Sequence, residues 1–550
     1  MHRAQLYLRW LPTILFCLIT HPASAQSFRV QCPTSTITHP SSGGVNAAPA
    51  TGEAPYTGPV ARTVTTDPTG KYAYSPALSF NDNGGAIKCQ EVSGGDGFMT
   101  EADGNQTFIF AFGPLSGLGL IANGLPGTQV AADFNLPYTA GPTFTNGQRN
   151  PSYDGTNPLD ILPGGANGAV TDPAAIMNTG VMNGNIPAPL IAFDEDDEMF
   201  LTLSNVGMIM RPDLFEQHTI HFHGYPNASS FYDGVPDASL AINIGGSFTY
   251  YYLAPDAGTY FWHCHITPPE HLQMGMVGQL YVRPRQNRVP ISMTLYQALQ
   301  AQQTDLRTAC NVAVDILCSN PLPAGGDNGT HGSFGTATPQ KYAYNDGDGS
   351  TAYDIDVPIQ IHGFDPNFHF VSMTFNPEGF SDMKDKYFLL NGRSYPDTVG
   401  VPAGSVTGWT GGVPAGATNP DPVSNSISTA ASDGMSRPSQ PLPTLVTLKQ
   451  GQKALLRIAD LDVTEYQTLA SIGIPMKLIG FNAKLLRDQA GNNLYVTTNS
   501  ITLGGGESLD VILDSTGVPP GTYFLYTTNL DHLSNDAENF GGLMTEVVVN

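Results

Sequence analysis

Two halves of the chain repeat the same short, strand-like segments in the same order. The clearest pair is GTYFWHCH (258–265) and GTYFLYTT (521–528), which share their first four residues. Segment 187–193 resembles 441–448, and segment 218–225 matches 474–481 in length and hydrophobic pattern. A repeat of this kind indicates two copies of one structural unit.

The composition favours β-structure for both copies. The chain has 60 glycines and 44 prolines, only 13% of its residues are charged, and short alternating segments lie between turn residues. This pattern predicts all-β domains of the β-sandwich type. The predicted order is a signal peptide, an extended N-terminal arm, a first domain and a second domain: residues 1–25, 26–95, 96–285 (with an insertion at 114–186) and 286–550 (with an insertion at 407–434).

The first residues predict export. Arg3 and Arg9 flank an apolar run, and the small-residue segment ASA (23–25) follows, as is typical of a secretory signal. A periplasmic or extracellular location is therefore expected, and no later segment is apolar enough to predict a membrane span. The formal net charge of −24 argues against nucleic acid or an anionic membrane as a partner, because like charges repel.

The cysteines divide into expected disulfides and one exception. Cys17 leaves with the signal peptide, and two pairs are expected to be oxidised in an exported protein. They are Cys32 with Cys89, and Cys310 with Cys318. Cys264 remains, and it stands between two histidines.

Strand alternation assigns these histidines to one face and the cysteine to the other. Successive side chains of a strand point to opposite faces, so His221 and His223 of the HFH motif share a face, as do His263 and His265 of the HCH motif. Cys264 points to the opposite side. One strand is therefore predicted to serve two sites, a thiolate site inside the sandwich and a histidine site outside it.

The thiolate has candidate partners nearby in the sequence. His218 precedes the HFH motif, and His271, Met274 and Met276 follow Cys264. Two histidines, one cysteine and an axial methionine are the ligands of a blue-copper centre. Zinc also accepts cysteine and histidine but has little use for methionine, so copper is the predicted metal.

At these motifs the chain resembles the multicopper oxidases, in particular their bacterial laccase-like and two-domain members. The resemblance rests on HTIHFHG, GTYFWHCHI, HLQMGMVGQLYV and the segment 233–252, and it extends more weakly through the second half. It implies tandem cupredoxin-like Greek-key β-sandwich domains. It also implies one-electron oxidation of a reductant, with dioxygen as the acceptor.

The resemblance assigns a role to each ligand by position. His218, Cys264, His271 and Met276 would hold a type 1 copper, with Met276 preferred to Met274 because of its spacing from His271. The trinuclear cluster would take His221 as a type 2 ligand and His223, His263 and His265 as type 3 ligands. This chain departs from the family in one respect, since five residues (266–270) rather than the usual three separate the HCH motif from the next histidine.

The second copy carries no equivalent ligands. Opposite His218, His221 and His223, the sequence overlay places Ile474, Lys477 and Ile479. Opposite the HCH motif it places Tyr526, Thr527 and Thr528. A complete trinuclear cluster in this family takes four H-x-H pairs, and this chain has two. The remaining histidines are interpreted as structural or surface residues: His39, His331, His362, His369 and His532.

Two functions remain open at this point. In the first, the protein is an oxidase whose trinuclear cluster is completed by another chain, for example in a two-fold homo-oligomer. In the second, it is a blue-copper electron-transfer or copper-binding protein without oxidase activity. The reductant is not specified by the sequence, and phenols, metal ions such as Mn(II), Fe(II) or Cu(I), and a redox protein are all candidates.

Overall fold

The computed structural model describes residues 87–118, 126–135, 169–289, 339–399 and 439–550 with short gaps, together with a few short segments between residues 32 and 75, residue 121, and short segments between 294 and 333. The predicted signal peptide, the Cys310–Cys318 pair, the insertion at 407–434 and two of the histidines, His39 and His331, lie outside the described residues. The insertion predicted at 114–186 is described in part.

The first half of the chain contains eleven strands and three helices among its described residues. The strands are β1 (Thr63–Thr66), β2 (Tyr72–Ser75), β3 (Ile87–Thr100), β4 (Gln106–Pro114), β5 (Gln129–Val130), β6 (Ile191–Asp194), β7 (Glu198–Gly207), β8 (His221–His223), β9 (Ser247–Leu253), β10 (Gly258–His263) and β11 (Val277–Arg283). The helices are α1 (Ala131–Phe134), α2 (Pro173–Gly180) and α3 (Pro268–Gln273). Short 3₁₀ helices span Ser230–Tyr232 and Arg285–Arg288.

These strands form a sandwich of two sheets preceded by the β1–β2 hairpin. One sheet has the order β4-β3-β7-β9, with β5 beside β3, and the other has the order β6-β11-β10-β8. Aromatic side chains such as Phe222, Tyr252 and Trp262 fill the space between them. Each such burial stabilises the fold by roughly 1.5–3 kcal/mol, so the strand carrying the HCH motif is held by a rigid core.

The first sheet begins earlier than the sequence boundary at residue 96. β3 starts at Ile87 and pairs in parallel with β7 from Glu198 onwards, so residues 87–95 lie in a central strand rather than in an arm. The composition of this segment concealed the strand, because its Ser and Gly residues are typical of loops. The predicted disulfide between Cys32 and Cys89 is confirmed, and it fastens the preceding chain to β3.

The second half contains fourteen strands and one helix among its described residues. The strands are β12 (Lys341–Tyr342), β13 (Ala352–Tyr353), β14 (Ile355–Phe364), β15 (Tyr387–Leu390), β16 (Val446–Leu448), β17 (Lys453–Asp460), β18 (Gln467–Ile472), β19 (Met476–Phe481), β20 (Lys484–Leu485), β21 (Val496–Thr498), β22 (Ser500–Leu503), β23 (Glu507–Asp514), β24 (Gly521–Tyr526) and β25 (Met544–Val549). The helix is α4 (Pro366–Thr374). Short 3₁₀ helices span Phe380–Asp382 and Leu530–His532.

This half is a second sandwich. Its sheets have the orders β15-β14-β17-β23-β19-β20, with β21 beside β19, and β16-β25-β24-β18-β22. The predicted all-β fold with tandem β-sandwich domains is therefore confirmed. Within the described part of the chain, no helix is long and apolar enough to cross a membrane.

The two sandwiches pack directly against each other. Thr259 Oγ1 of β10 donates to Asp510 Oδ1 at 2.6 Å, and Gln279 Nε2 of β11 donates to Arg457 O at 2.7 Å. Apolar side chains of both domains, including Phe261, share one buried cluster. The strand that carries the HCH motif thus has the core of its own domain on one face and the second domain on the other.

Candidate metal centre

The HFH and HCH motifs lie side by side because β8 and β10 are antiparallel neighbours. His221 pairs with His263, and His223 pairs with Phe261. Cys264 follows β10 directly and is completely buried among apolar residues. The expected facing is therefore present, with imidazoles on the outer face and the thiol in the core, although only the first histidine of the HCH motif lies within β10.

The thiolate site consists of His218, Cys264 and His271, and all three side chains are buried. Their donor atoms lie within 4.8 Å of one another. His271 Nδ1 lies 3.2 Å from Cys264 Sγ, and Thr219 N donates to the same sulfur at 3.4 Å. Chain segments distant in sequence thus converge on one sulfur atom.

The electrostatics of this site favour a thiolate. Burial alone would raise the pKa of Cys264, but the adjacent His271 and His218 hold this pKa well below the ordinary value. Burial alone would lower the pKa of His271, but the charge of Cys264 and the contact with Glu216 raise this pKa to about 10. Both shifts favour a charged pair of Cys264 and His271.

His218 supplies the test of whether a metal fits. The ring is fully buried, and its two nitrogens make no hydrogen bond of regular geometry with a described residue. Burial lowers its pKa, and the neighbouring Cys264 sulfur opposes that shift. Leaving buried polar atoms unpaired costs about 1–3 kcal/mol, and a soft cation between the thiolate and the two imidazoles would remove that cost. Gly94 of β3 allows this arrangement, because a Cβ there would lie 2.6 Å from His218 Cδ2. The donor set fits copper.

Both candidate axial ligands, Met274 and Met276, are fully buried in the same cluster as Cys264. Cys264 N donates to Met276 O at 3.1 Å, and Met276 N donates to His271 O at 2.9 Å. These bonds fix Met276 beside both ligands, and the choice of Met276 over Met274 stays a prediction.

The histidine site consists of His221, His223, His263 and His265. Donor atoms of the first three lie within 4.8 Å of one another, with His223 Nδ1 3.5 Å from His263 Nε2. The His265 ring centre lies 5.1 Å from that of His221. The four imidazoles predicted from the two motifs therefore form one group.

Backbone carbonyls orient two of these rings. His221 Nδ1 donates to Asp233 O at 2.7 Å, and His263 Nδ1 donates to Cys264 O at 2.8 Å. Burial lowers the pKa of His263 to about 3, so this ring is neutral and its Nε2 keeps a lone pair directed at the group. Such a bond on the remote nitrogen is how metal-binding histidines are commonly fixed.

The second domain of the same chain covers part of the histidine site. His223 and His263 line one wall of a cleft of about 410 Å³, and residues of the second domain line the other. We call this the interdomain cleft. Gly506 lies close to the histidine site, since a Cβ there would lie 3.6 Å from His223 Cε1. The opposite wall also includes Asp462, Thr464, Glu465 and Tyr466.

The structure corrects one segment of the sequence repeat. The overlay matched 474–481 with 218–225, but 474–481 contains β19, which pairs with β23 in the opposite sheet. The strand beside β24, as β8 is beside β10, is β18. By register the counterparts of His221 and His223 are Ala470 and Ile472. The position was wrong because alternating strands resemble one another, yet these counterparts also provide no metal ligand.

The backbone around the thiolate site recurs in the second domain. There Thr527 N donates to Leu543 O and Leu543 N donates to His532 O, at 2.9 Å each, in the pattern already described for the first domain. Gln467 stands three residues before Ala470, as His218 stands three before His221. The counterpart site, in the order of the four predicted type 1 ligands, is Gln467, Thr527, His532 and Leu543.

His532 in the counterpart site is satisfied by protein contacts. Its Nδ1 lies 2.9 Å from Gln467 Oε1, and its ring stacks on Phe388 with centres 3.7 Å apart. Its Nε2 lies 2.9 Å from Glu465 Oε2. His271 has the equivalent acidic neighbour, because Glu216 Oε2 lies 3.4 Å from its Nε2. Both nitrogens of His532 thus have polar partners, whereas the nitrogens of His218 make no hydrogen bond of regular geometry with a described residue.

Sequence reasoning missed the residues that orient the ligands. Glu216, Thr219 and Asp233 contact His271, Cys264 and His221, respectively. One signal was available, because the spacing D-x-x-E at 213–216 recurs at 462–465. The contact with Asp233 carried no such signal, since it depends on how a distant loop folds.

Comparison with known proteins supports the resemblance drawn from the motifs. The sequence model of the multicopper oxidase family matches residues 169–287. A multicopper oxidase of Talaromyces pinophilus is 34% identical over 116 residues, which is 21% of this chain and 18% of that protein. A laccase of Aspergillus fumigatus is 36% identical over 115 residues, which is 20% of this chain and 18% of that protein. The matched part thus spans less than a fifth of these relatives.

Similar solved structures extend over more of the chain at lower identity. A blue copper oxidase of Nitrosomonas europaea has a TM-score of 0.46 and 17% identity, covering 84% of this chain and 85% of that chain. A laccase of Botrytis aclada has a TM-score of 0.40 and 14% identity, covering 86% of this chain and 55% of that chain.

Proposed function

Since the chain carries a domain of the multicopper oxidase family at residues 169–287, we propose that the protein is a copper-dependent oxidoreductase that takes single electrons from a small reductant. The observation that carries this proposal is the buried thiolate site, with three donor atoms within 4.8 Å of one another. The relatives named as a laccase and a multicopper oxidase support the same reaction class.

In this proposal His218, Cys264, His271 and Met276 would hold the type 1 copper. The bound copper supplies a one-electron acceptor. The protein keeps the thiol deprotonated, excludes water by burial and holds both imidazoles in fixed orientations. Cys264 O accepts a hydrogen bond from His263 Nδ1, so this contact would give electrons a short path between the two sites.

The histidine site is the proposed second half of the reaction. His221 is assigned to a type 2 copper and His223, His263 and His265 to type 3 coppers, with dioxygen as the electron acceptor. A full cluster needs four more histidines, and no H-x-H pair occurs in residues 286–550. We propose that another chain supplies them, for example across a two-fold interface.

One observation favours the alternative, an electron-transfer or copper-binding protein without oxidase activity. His223 and His263 already face the second domain of their own chain across the interdomain cleft, which restricts the approach of a partner. The four imidazoles would then hold a single copper. Copper content separates the two functions, because a shared cluster requires three coppers plus two type 1 coppers per dimer.

The proposed setting is outside the cytoplasm. The Cys32–Cys89 disulfide is expected in an oxidising compartment, in agreement with the signal peptide predicted from the sequence. The net charge of −24 favours encounter with a cationic reductant, such as a metal ion, over an anionic one.

The visible and EPR spectra of the copper-loaded protein, with copper stoichiometry and subunit mass, test the proposal. We expect an intense blue absorption that Cys264→Ser abolishes, and dioxygen consumption with a phenol or a reduced metal ion. A colourless protein whose copper content is unaffected by Cys264→Ser would contradict the copper function. A blue protein that consumes no dioxygen would support the alternative.

A further inference from the structure

Gln273 is the last residue of α3, and it links the thiolate site to the second domain. It lies two residues after His271 and is completely buried. Its Nε2 donates to Asp385 Oδ1 at 2.8 Å, and its main-chain O lies 2.9 Å from His369 Nε2. Both partners belong to the second domain, so α3 is held at its end by residues outside its own sandwich.

His369 lies between the same helix and a strand that packs on His271. Because burial lowers its pKa to about 3, the ring is neutral and has one N–H, which it can donate to only one of the two carbonyls near it. Its Nδ1 lies 2.6 Å from Phe108 O of β4, and two residues further along β4 the ring of Phe110 meets His271 edge-to-face, with centres 5.1 Å apart. The His369 ring also stacks on Phe364 at 3.7 Å. His369 is thus compatible with the structural role expected from the sequence. It nevertheless contacts Gln273, which lies within residues 266–276, here called the ligand loop.

The ligand loop needs such support. α3 has only six residues, its N-cap Thr267 adopts a left-handed conformation with φ of 37°, and the Thr267 side chain makes no capping hydrogen bond. Helices of this length are unstable on their own. The five residues 266–270, which distinguish this chain from its family, include the start of this helix. The longer loop is thus the one whose end is bonded to the second domain.

We propose that Gln273 is a positioning residue for the type 1 copper, and that Asp385 and His369 of the second domain hold it in place. Through Gln273 the second domain fixes α3 and therefore the orientation of the His271 imidazole. A domain without copper ligands thereby takes part in the copper chemistry of its neighbour. This inference rests on the proposed type 1 copper at His271.

The test compares Gln273→Ala with Gln279→Ala. Both glutamines are buried in the first domain and donate to the second domain, but Gln279 lies on β11 and not on the ligand loop. In the copper-loaded protein we expect Gln273→Ala and Asp385→Ala to change the EPR parameters and the reduction potential. Asp385→Asn keeps an acceptor for Gln273 Nε2, so it should retain the wild-type spectrum, as should Gln279→Ala.

Hydrogen exchange of the metal-free proteins gives a second readout. We expect exchange at the main-chain amides of residues 271–276 to accelerate about tenfold in Gln273→Ala and Asp385→Ala, the effect of losing one buried hydrogen bond. Asp385→Asn and Gln279→Ala should leave these amides unchanged. This measurement needs no copper, so it remains informative if the wild-type protein is colourless and the proposed function fails.

The inference is overturned if Gln273→Ala and Asp385→Ala match the wild type in spectrum, potential and exchange. It is also overturned if Gln279→Ala changes them to the same degree, because the effect would then belong to the interface in general. Should Gln273→Ala not fold, the comparison of Asp385→Ala with Asp385→Asn decides the matter.

Discussion

The thiolate site of the first domain and the counterpart site of the second share a backbone but differ in how their polar atoms are satisfied. The two buried nitrogens of His218 make no hydrogen bond of regular geometry with a described residue, although the Cys264 sulfur interacts with the ring. In the counterpart site, Gln467 and His532 bond each other. Since the backbone hydrogen bonds are the same in both sites, side-chain identity decides whether the interior is closed by hydrogen bonds or left open for a cation.

This contrast has an energetic meaning. Closing the counterpart site with hydrogen bonds stabilises the metal-free fold, whereas leaving His218 unpaired costs stability that a ligand can return. A cation bound at the thiolate site would thus stabilise the first domain, whereas the second domain is stabilised without one. Each prediction below tests one part of this difference.

The largest expected effect is at the sulfur. Cys264→Ser should abolish the blue absorption and weaken copper binding about a hundredfold or more, since even residues that only orient ligands contribute 10–100-fold. The matched control is Thr527→Ser in the counterpart site, which should leave both unchanged. Absorption spectra and copper titration measure the two effects, and equal behaviour of the two variants would remove the distinction between the sites.

Copper should stabilise the protein through the first domain. With free copper at a thousand times its dissociation constant, the free energy of unfolding should rise by about 4 kcal/mol. Chelation should reverse the gain, and Cys264→Ser should show little of it. Denaturant unfolding with and without copper provides the measurement, and an unchanged midpoint in the wild type would contradict the interpretation of His218.

The link between the domains predicts a dependence on pH. Burial, and then the charge of Asp462, raise the pKa of Asp385 to about 8 from an ordinary value of 3.8. The folded protein therefore keeps a proton that the unfolded chain releases, and the free energy of unfolding falls as pH rises between these values, by at most about 1.4 kcal/mol per pH unit. Asp385→Asn should flatten this slope in unfolding curves measured across the range. Parallel curves would show that Asp385 is not the group responsible.

The smallest expected effect concerns the axial position. Met276→Leu copies Leu543 of the counterpart site, and it should preserve the blue colour while raising the reduction potential, because an apolar residue replaces a weak sulfur ligand. Met274→Leu is the control and should leave the potential unchanged. Redox titration distinguishes the two methionines, and a shift confined to Met274→Leu would reverse their assignment.

How far the sequence predicted this molecule depends on the range of the interactions concerned. The sandwich fold and the facing of the histidines followed from strand alternation and motif spacing, which are local. The Cys32–Cys89 disulfide joins residues 57 apart and followed instead from pairing the cysteines of a chain expected to be exported. The overlay of 474–481 onto 218–225 was wrong because the hydrophobic pattern of a strand does not reveal which sheet it joins.

The supporting contacts were beyond sequence reasoning for the same reason. Asp385 and Gln273 are separated by 112 residues, and nothing in either local pattern indicates their hydrogen bond. The β3 strand was likewise concealed, because residues 87–95 resemble a loop in composition and become a strand only through pairing with β7.

The thiolate site depends on Gly94, a residue that is not one of its ligands. A methyl group at this position would lie 2.6 Å from His218 Cδ2, so Gly94→Ala would tilt the imidazole while every donor residue stayed intact. A homologue could therefore lose its colour through a substitution in β3 and still display an unbroken ligand signature.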